Sequence, residues 1–336
     1  MLTMIRPVSD HVVGEVDLRL IAALQCDGRA TAEHVGEVLG VSPRIVARRW
    51  SALIGDGTVR VLATAPRPAA DGVMLLRIRV LRGKVEAVAR ALATREDIPM
   101  IDISAGGDQV TAVLLAGPDH HNNLVFRQLP ATTAVTSVEA ETIVHVYADA
   151  GDWKLDVLTP DERRWLTPVR PTAGAESSDV SAERRNARGP QETDEIDQEI
   201  GKALATDARM PAAAVARATG YPQSTVRRRL SALFDQGKLR THTLVVPRRL
   251  GLAVDADIRM RVAPAHLDEV GQQLAAHPAV HGAVATTGTG NLFVALWLRD
   301  LDDLHRFITK DLAALEVDDI DTILVGREFK RSGLGW

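Results

Sequence analysis

The chain is poor in cysteine and has no long uninterrupted apolar stretch. Cys26 is the only cysteine among 336 residues, which excludes an intrachain disulfide and a metal site built from several cysteines. No apolar run approaches the roughly 18 residues of a membrane span, and residues 1–10 lack the pattern of a secretory signal. These absences predict a cytoplasmic protein that does not enter a membrane.

The chain also lacks a large excess of charge of either sign. The chain has 40 Lys and Arg against 44 Asp and Glu, a net charge of −4, and this balance excludes a uniformly basic coat. It does not exclude nucleic-acid binding, which needs only a local basic face. The length indicates two or more domains, and the hydrophobic fraction of 46% is sufficient for each to form a core.

The second half of the chain repeats the first at a shift of 180 residues. Without a gap, Asp17 falls on Asp197 and Arg48-Arg49 falls on Arg228-Arg229. Residues 168–193 between the copies are rich in Pro, Gly, Ser and charge, which predicts a flexible linker; a solvated helix over 179–188 is the alternative. The expected domains are 14–62 and 70–150 in the first copy, and 194–245 and 252–330 in the second.

The leading part of each copy predicts three short helices. In the first copy Gly40 suits a left-handed helix end, and Ser42-Pro43 resembles an N-cap followed by proline at the first helical position. A helix, a glycine turn and another helix make a helix-turn-helix, whose last helix can enter the DNA major groove. The second copy has Tyr221-Pro222 at the cap, so the start of its third helix is less defined. The β-rich segment after each third helix indicates a wing or an exit strand.

The two third helices are the predicted DNA-reading elements. At ~100° per residue, Val46, Trp50 and Leu53 face inward while Arg44 and Arg48 point the opposite way. Arginine can pair with guanine or grip phosphate. A solvated basic face is the alternative, but its recurrence opposite an apolar face in both copies favours DNA contact. The candidate DNA-binding residues are Ser42, Arg44, Arg48, Arg49, Gln223, Ser224, Thr225, Arg227, Arg228 and Arg229.

The trailing part of each copy alternates strands and helices in the order β-α-β-β-α-β. In the second copy the strands are predicted at 254–262, 280–287, 292–298 and 318–329, with helices at 265–276 and 301–313. This order is typical of a ferredoxin-like α/β-plait, and the expected fold class is α+β. Because its helices cover one face of the sheet, the other face needs a partner. The natural partner is the other copy.

Both helix-turn-helix segments resemble the Lrp/AsnC family of bacterial feast/famine transcription regulators. The resemblance is carried by residues 17–60 and 195–240, and by the passage VVPRRLGLAVDADIRMRV into the last domain. It implies a tandem form of the family, with two winged helix-turn-helix domains and two RAM-type effector domains. It also implies double-stranded DNA and a small-molecule effector as partners, a homo-oligomer built through the ferredoxin-like domains, and a nucleoid location.

In proteins of this family an effector such as an amino acid binds between neighbouring domains, near the turn between the second and third strands. By position, the resemblance implicates Gly106, Gly107 and Asp108 in the first copy and Thr287, Gly288, Gly290 and Asn291 in the second. Glycine permits close approach to backbone N–H groups that can hold a carboxylate. The alternative is that these glycines only form hairpin turns. No metal or resident cofactor is predicted.

Two other functions are possible on the same architecture. Siroheme decarboxylases share this build, but the segments HHNNLVF, IVHVYAD and TGNLFVALW do not preserve the His-Asn-Tyr pattern expected of them. The sequence also lacks a Walker loop and H-E-x-x-H, so no enzyme is predicted. An interaction protein with one degenerate DNA-binding copy is the remaining alternative, because the first copy matches the family less well.

Overall fold

The computed structural model describes residues 11–65, 72–115, 123–168 and 194–331. The predicted linker, apart from Pro168, lies outside these ranges. The chain divides into two compact units that alternate along the sequence. The helical unit contains residues 1–68 and 154–251, and the sheet unit contains residues 69–153 and 252–334. Each unit therefore combines one domain from each copy of the repeat.

The elements follow one another in the order that the repeat predicts, with one addition, α5. The first copy contains α1 (Glu15–Cys26), α2 (Ala32–Leu39), α3 (Pro43–Gly55), β1 (Val59–Thr64), β2 (Val73–Val80), α4 (Val85–Ala93), β3 (Met100–Ser104), β4 (Gln109–Leu115), a π-helix (Leu124–Gln128), β5 (Val135–Ala148) and α5 (Pro160–Leu166). The second contains α6 (Glu195–Leu204), α7 (Ala212–Thr219), α8 (Gln223–Asp235), β6 (Arg240–Val245), a 3-10 turn (Pro247–Leu250), β7 (Val254–Val262), α9 (Leu267–Ala275), β8 (Val280–Thr286), β9 (Leu292–Leu298), α10 (Leu301–Arg306), a π-helix (Phe307–Leu312) and β10 (Val317–Arg331).

The helix boundaries in the first copy follow from its capping residues. Gly40 ends α2 with a φ of 68°, which favours glycine because it has no Cβ. The Ser42 hydroxyl accepts a hydrogen bond from the Ile45 backbone N–H at 3.4 Å, and Pro43 occupies the first turn, so the predicted N-cap is confirmed. In the second copy α8 begins at Gln223, and Pro222 offers no side-chain cap.

The segment after each third helix pairs with its counterpart in the other copy. Strands β1 and β6 run antiparallel, from Val59 opposite Val245 to Thr64 opposite Arg240. Further bonds tie the copies together: the Thr243 hydroxyl donates to the Leu24 carbonyl at 2.7 Å. The two-stranded ribbon of β1 and β6 thus joins the two helix-turn-helix domains within one compact unit.

The sheet unit is a closed barrel with the strand order β10-β3-β4-β2-β5-β8-β9-β7. The last strand of each copy is long and serves both sheets. Strand β5 pairs with β2 and then with β8, while β10 pairs with β7 and then with β3. Each copy keeps an apolar core under its helices, and a third apolar cluster with residues from both copies lies between the sheets. The prediction that the copies cover each other's sheets is confirmed.

Helix α5 is not among the elements that the sequence predicts, and residues 151–167 belong to none of the expected domains. Its start has a readable signal, because Thr159 and Glu162 form a reciprocal capping box. The Glu162 carboxylate also pairs with Arg19 of α1. His34 Nε2 lies 3.0 Å from the carbonyl oxygen of Trp165. The segment thus packs onto the first helix-turn-helix domain.

Candidate nucleic-acid interface

The third helices α3 and α8 bury the faces that the helical spacing predicts. Val46, Trp50 and Leu53 are buried in α3, and Val226, Leu230 and Leu233 are buried in α8. The Trp50 indole N–H donates to the Leu20 carbonyl at 3.1 Å, which fixes α3 against α1. With this side held inward, the opposite side of each helix is presented to solvent.

Most of the predicted DNA-binding residues lie on the solvent side. The exposed residues are Ser42, Arg44, Arg48, Gln223, Ser224, Arg227 and Arg228, and Thr225 is half-buried. The first copy offers two arginines in this set, Arg44 and Arg48, and the second offers Arg227 and Arg228. An exposed guanidinium opposite a buried apolar face can approach a base edge or a phosphate without unfolding the helix.

The remaining two arginines, Arg49 and Arg229, are bound within their own domains. The Arg49 guanidinium lies 2.9 Å from a carboxylate oxygen of Asp17 in α1. Its counterpart Arg229 lies 3.3 Å from Asp197 and 2.7 Å from Asp194. The helical spacing predicts both arginines but not their partners, although both copies have an aspartate 32 positions before the arginine. DNA binding by Arg49 and Arg229 stays a prediction.

The first effector turn, residues 105–108, packs on a strand of the other copy. The Ala105 backbone N–H donates to the Leu324 carbonyl of β10 at 2.7 Å. Within the turn the Ser104 hydroxyl donates to the Asp108 carboxylate at 3.1 Å. Gly107 has a φ of 68°, a turn conformation that suits glycine. The turn therefore contacts β10 of the other copy.

The second effector turn, residues 287–291, packs on β5 in the same way. Thr287 and Thr142 are joined by two hydrogen bonds, and a Cβ on Gly288 would lie 2.8 Å from a carboxylate oxygen of Glu141. The Asn291 amide bonds to both the N–H and the carbonyl of Val262, each at 2.8 Å. These contacts give Asn291 and Gly288 structural roles. Effector binding by either turn stays a prediction.

An ion-pair network joins strands of the two copies within the barrel. Arg77 of β2 lies 2.7 Å from Asp321 of β10, and Arg259 of β7 lies 2.9 Å from Glu139 of β5. These pairs are reciprocal, because each arginine reaches the last strand of the other copy. Arg259 also pairs with the buried Glu141. Burial raises the pKa of the Glu141 carboxyl, and the Arg259 charge opposes the rise.

Two buried acids lie on strands that pair with β10. Asp102 of β3 and Asp257 of β7 are both buried, and each has a carboxylate oxygen without a hydrogen-bond partner. Burial raises the pKa of Asp102 to about 7, against the opposing effect of Arg331. Burial also raises the pKa of Asp257 well above its usual value, and the charge of Asp102 adds to this rise. Across the described ranges, no helix could cross a membrane, and no cluster of three potential His, Cys, Asp or Glu metal ligands occurs.

Comparison with known proteins identifies both kinds of domain. Residues 15–54 and 194–233 match the AsnC-type helix-turn-helix domain, and residues 255–334 match the Lrp/AsnC ligand binding domain. An uncharacterized HTH-type transcriptional regulator of Pyrococcus horikoshii is 33% identical over 126 residues, which are 37% of this chain and 80% of that protein. The HTH-type transcriptional regulator FL11 of the same organism is 27% identical over 140 residues, which are 41% of this chain and 93% of that protein. A bacterial source stays a prediction.

A solved structure shares the whole architecture. The siroheme decarboxylase NirDL superposes with a TM-score of 0.57, covering 95% of this chain and 93% of that chain at 15% identity. At that identity the likeness shows the fold alone. The helix-turn-helix matches in both copies, the ligand-binding domain match and the 33% identical regulator agree with one another. The chain belongs to the Lrp/AsnC family of helix-turn-helix transcriptional regulators.

Proposed function

We propose that one chain binds double-stranded DNA in a sequence-specific way, with α3 and α8 in the major groove at two half-sites of different sequence. The observation that carries the proposal is the pair of solvent-facing arginine sets on third helices that the β1–β6 ribbon holds in one unit. A dimeric helix-turn-helix protein places two identical readers about one DNA turn apart. Here the exposed arginines of α3 are Arg44 and Arg48, whereas those of α8 are Arg227 and Arg228. The two DNA-reading helices therefore differ in sequence.

Selection of binding sites from random DNA with the full chain tests this proposal. The expected product contains two unlike half-sites. Arg48→Ala should relax the sequence at one half-site, and Arg228→Ala should relax it at the other. Each should weaken binding by about 1–3 kcal/mol if the arginine reads a base. Arg82→Ala, which removes an exposed charge from the sheet unit, is the matched control. A perfect inverted repeat, or no affinity for any DNA at low ionic strength, contradicts the proposal.

The two copies join at two seams of the barrel, where β10 pairs with β3 and where β5 pairs with β8. A small-molecule effector is proposed to act at these seams, where the turns 105–108 and 287–291 meet the last strand of the other copy. A ligand there changes DNA affinity only if it binds the two conformational states of the protein differently. Titration of the protein with single amino acids, followed by the melting temperature and by DNA affinity, tests the assignment. An amino acid that raises the melting temperature of the wild type and not that of Gly107→Val would support the first turn.

The chain is proposed to be a cytoplasmic, nucleoid-associated regulator without enzymatic activity and without a resident cofactor. The family match supports the regulator, and the shared fold of NirDL supplies the alternative to test. Titration with an iron tetrapyrrole, followed by visible absorbance, should show no saturable spectral shift; such a shift would support the enzyme. Association of further chains through the ferredoxin-like domains stays a prediction, which light scattering of the purified chain measures.

A further inference from the structure

Within the helical unit, two arginines each reach from one copy of the helix-turn-helix domain to the other. Arg29 lies in the turn after α1, and Arg209 lies 180 positions later in the turn after α6. Arg29 Nη1 donates to the Ala208 carbonyl of the second copy. In return, Arg209 donates to the carbonyls of Gly28 at 2.7 Å and Ala30 at 3.1 Å in the first copy. The contacts are reciprocal, and each arginine grips the backbone of the opposite turn.

The same two side chains also touch the reading helices. The Arg209 guanidinium carbon lies 4.7 Å from the ring centroid of Trp50 in α3, and that of Arg29 lies 5.3 Å from the ring centroid of Phe234 in α8. Trp50 belongs to the buried side of its helix. An arginine that donates to a turn and stacks on an aromatic ring fixes both groups relative to its own backbone. Each reading helix is therefore held by a side chain from the opposite copy.

Stability alone is a poor explanation for this arrangement. Burial lowers the pKa of both guanidinium groups, and the charge of Arg29 further lowers the pKa of Arg209, while the charges of Asp27 and Asp207 oppose this fall. Two cations are therefore close together and partly desolvated. In each turn an aspartate side chain, Asp27 or Asp207, accepts a bond from the arginine's own backbone N–H. These bonds hold the backbone from which the arginine projects. Two apolar residues would fill the same space without the electrostatic cost.

We propose that Arg29 and Arg209, here called the arginine clamp, are positioning residues that fix the separation and rotation of α3 relative to α8. This inference rests on the proposed DNA function for its purpose. The clamp would then determine which spacing between half-sites the protein accepts. Neither arginine lies on the predicted DNA-contacting side of a third helix, so binding to a single half-site should not need them.

Distance measurement without DNA tests the clamp directly. Spin labels are placed at the equivalent solvent-facing positions Ala47 and Arg227 of the full chain, in a Cys26→Ser background. The DNA-free protein should give a narrow distance distribution when Arg29 and Arg209 are present, and one at least twice as broad in the Arg29→Met, Arg209→Met double variant. Methionine keeps the apolar contact with the rings and removes the hydrogen bonds. An unchanged distribution in the folded double variant overturns the proposal.

DNA binding supplies the second readout. Affinity is measured for one half-site and for paired half-sites whose separation varies by single base pairs. The wild type should prefer one separation. The double variant should lose about tenfold affinity at that separation, retain single-site affinity within twofold, and discriminate poorly between separations. Loss of single-site affinity in a variant with normal melting temperature would mean that the arginines contact DNA, which also overturns the proposal.

A milder variant protects the test against misfolding. Arg209→Lys keeps the charge but cannot donate to two carbonyls in a fixed fork, so an intermediate broadening of the distance distribution is expected. An unbroadened distribution in this variant, when the double variant does not fold, counts against the clamp. If the wild type binds no DNA while the distances broaden as expected, the clamp stands and the proposed function fails.

Discussion

The two units differ in how far their copies have diverged. In the helical unit the structural contacts repeat: Arg49 pairs with Asp17 as Arg229 pairs with Asp197, and Arg29 mirrors Arg209. In the sheet unit the backbone and the Arg77 and Arg259 ion pairs also repeat, but two of the buried positions between the sheets do not. The strand registers superpose at a shift of 182 positions, so Leu75 corresponds to Asp257 and Asp102 corresponds to Val284.

This divergence gives the barrel two unlike seams. Leu75 and Val284 belong to the apolar cluster between the sheets, near β5 and β8. Their counterparts Asp257 and Asp102 lie at the other seam, where β10 meets β3 and Arg331 stands 3.3 Å from Asp102. A duplicated reader needs matching geometry at both helices, whereas a seam between domains can specialise on one side. The comparison indicates that the two seams respond differently to charge and to pH.

The largest expected effect comes from giving the apolar seam the residue of the charged one. Leu75→Asp places a carboxylate in the apolar cluster of Val113, Val284 and Phe293, and directly across the strand pair from the buried acid Glu141. We expect the free energy of unfolding of the sheet unit to fall by about 3–5 kcal/mol, because the new charge is buried and unpaired. Urea unfolding measures the change.

The reverse exchange, Asp257→Leu, is the matched control. Replacing a buried acid by an apolar residue of similar volume should be neutral or stabilising, by up to about 4 kcal/mol. Equal destabilisation by both exchanges would contradict the view that the seams differ, since it would mean that either position simply rejects any substitution.

A pH dependence of stability is the second expectation. The folded pKa of Asp102 is raised to about 7 and that of Asp257 is also raised, so the folded chain holds protons that the unfolded chain releases near pH 4. The resulting stability is present in acid and is lost as the pH rises through the folded pKa values. For Asp102, whose folded pKa is about 7, we expect a loss of about 1 kcal/mol between pH 6.5 and 8, measured by urea unfolding, and Asp257 adds to this loss in the same direction.

Other titratable groups at this seam determine the pH range in which the effect of Asp102 and Asp257 can be observed. Buried His281 has a lowered pKa and acts in the opposite direction below about pH 6.5, because the unfolded imidazole takes up the proton. Asp255 also has a lowered pKa, and its contribution is lost only in acid. Glu328 and Arg331 of β10 complete the set of charges around Asp102. Asp257→Leu should reduce the slope of the profile above pH 6.5 and leave the part that comes from Asp102; an identical slope in the variant would mean that Asp257 does not contribute.

Periodicity and capping were sufficient to predict most of the fold. The inward side of α3, the cap at Ser42 and the pairing of the two sheets could be predicted, because they depend on local spacing or on an uncovered sheet face. The charged seam could not be predicted. Asp102 and Asp257 are far apart in sequence, and only the strand registers of the closed barrel show that Val284 and Leu75 occupy the corresponding positions in the other copy.

For the candidate DNA interface, the sequence predicts the residues on the outward side of each third helix but not the behaviour of those on its flanks. Outward positions such as Arg48 and Arg228 follow from helical geometry, and both are exposed. Flank positions such as Arg49 do not, since a flank side chain can turn to DNA or to its own domain. Its partner, Asp17, lies on another helix, and only the tertiary packing of α1 on α3 brings the two together.

The smallest expected effect tests the symmetry of the helical unit. Arg49→Gln and Arg229→Gln each remove an ion pair that solvent partly screens, so each should lower the free energy of unfolding by about 0.5–1 kcal/mol. The loss at Arg229 should be the larger of the two, because Arg229 also pairs with Asp194 at 2.7 Å. Arg48→Gln and Arg228→Gln are the matched variants, and they should reduce DNA affinity without changing stability. If Arg49→Gln instead reduces DNA affinity at unchanged stability, the Asp17 pair is dispensable and Arg49 acts on DNA; the equivalence of the copies then predicts the same behaviour for Arg229.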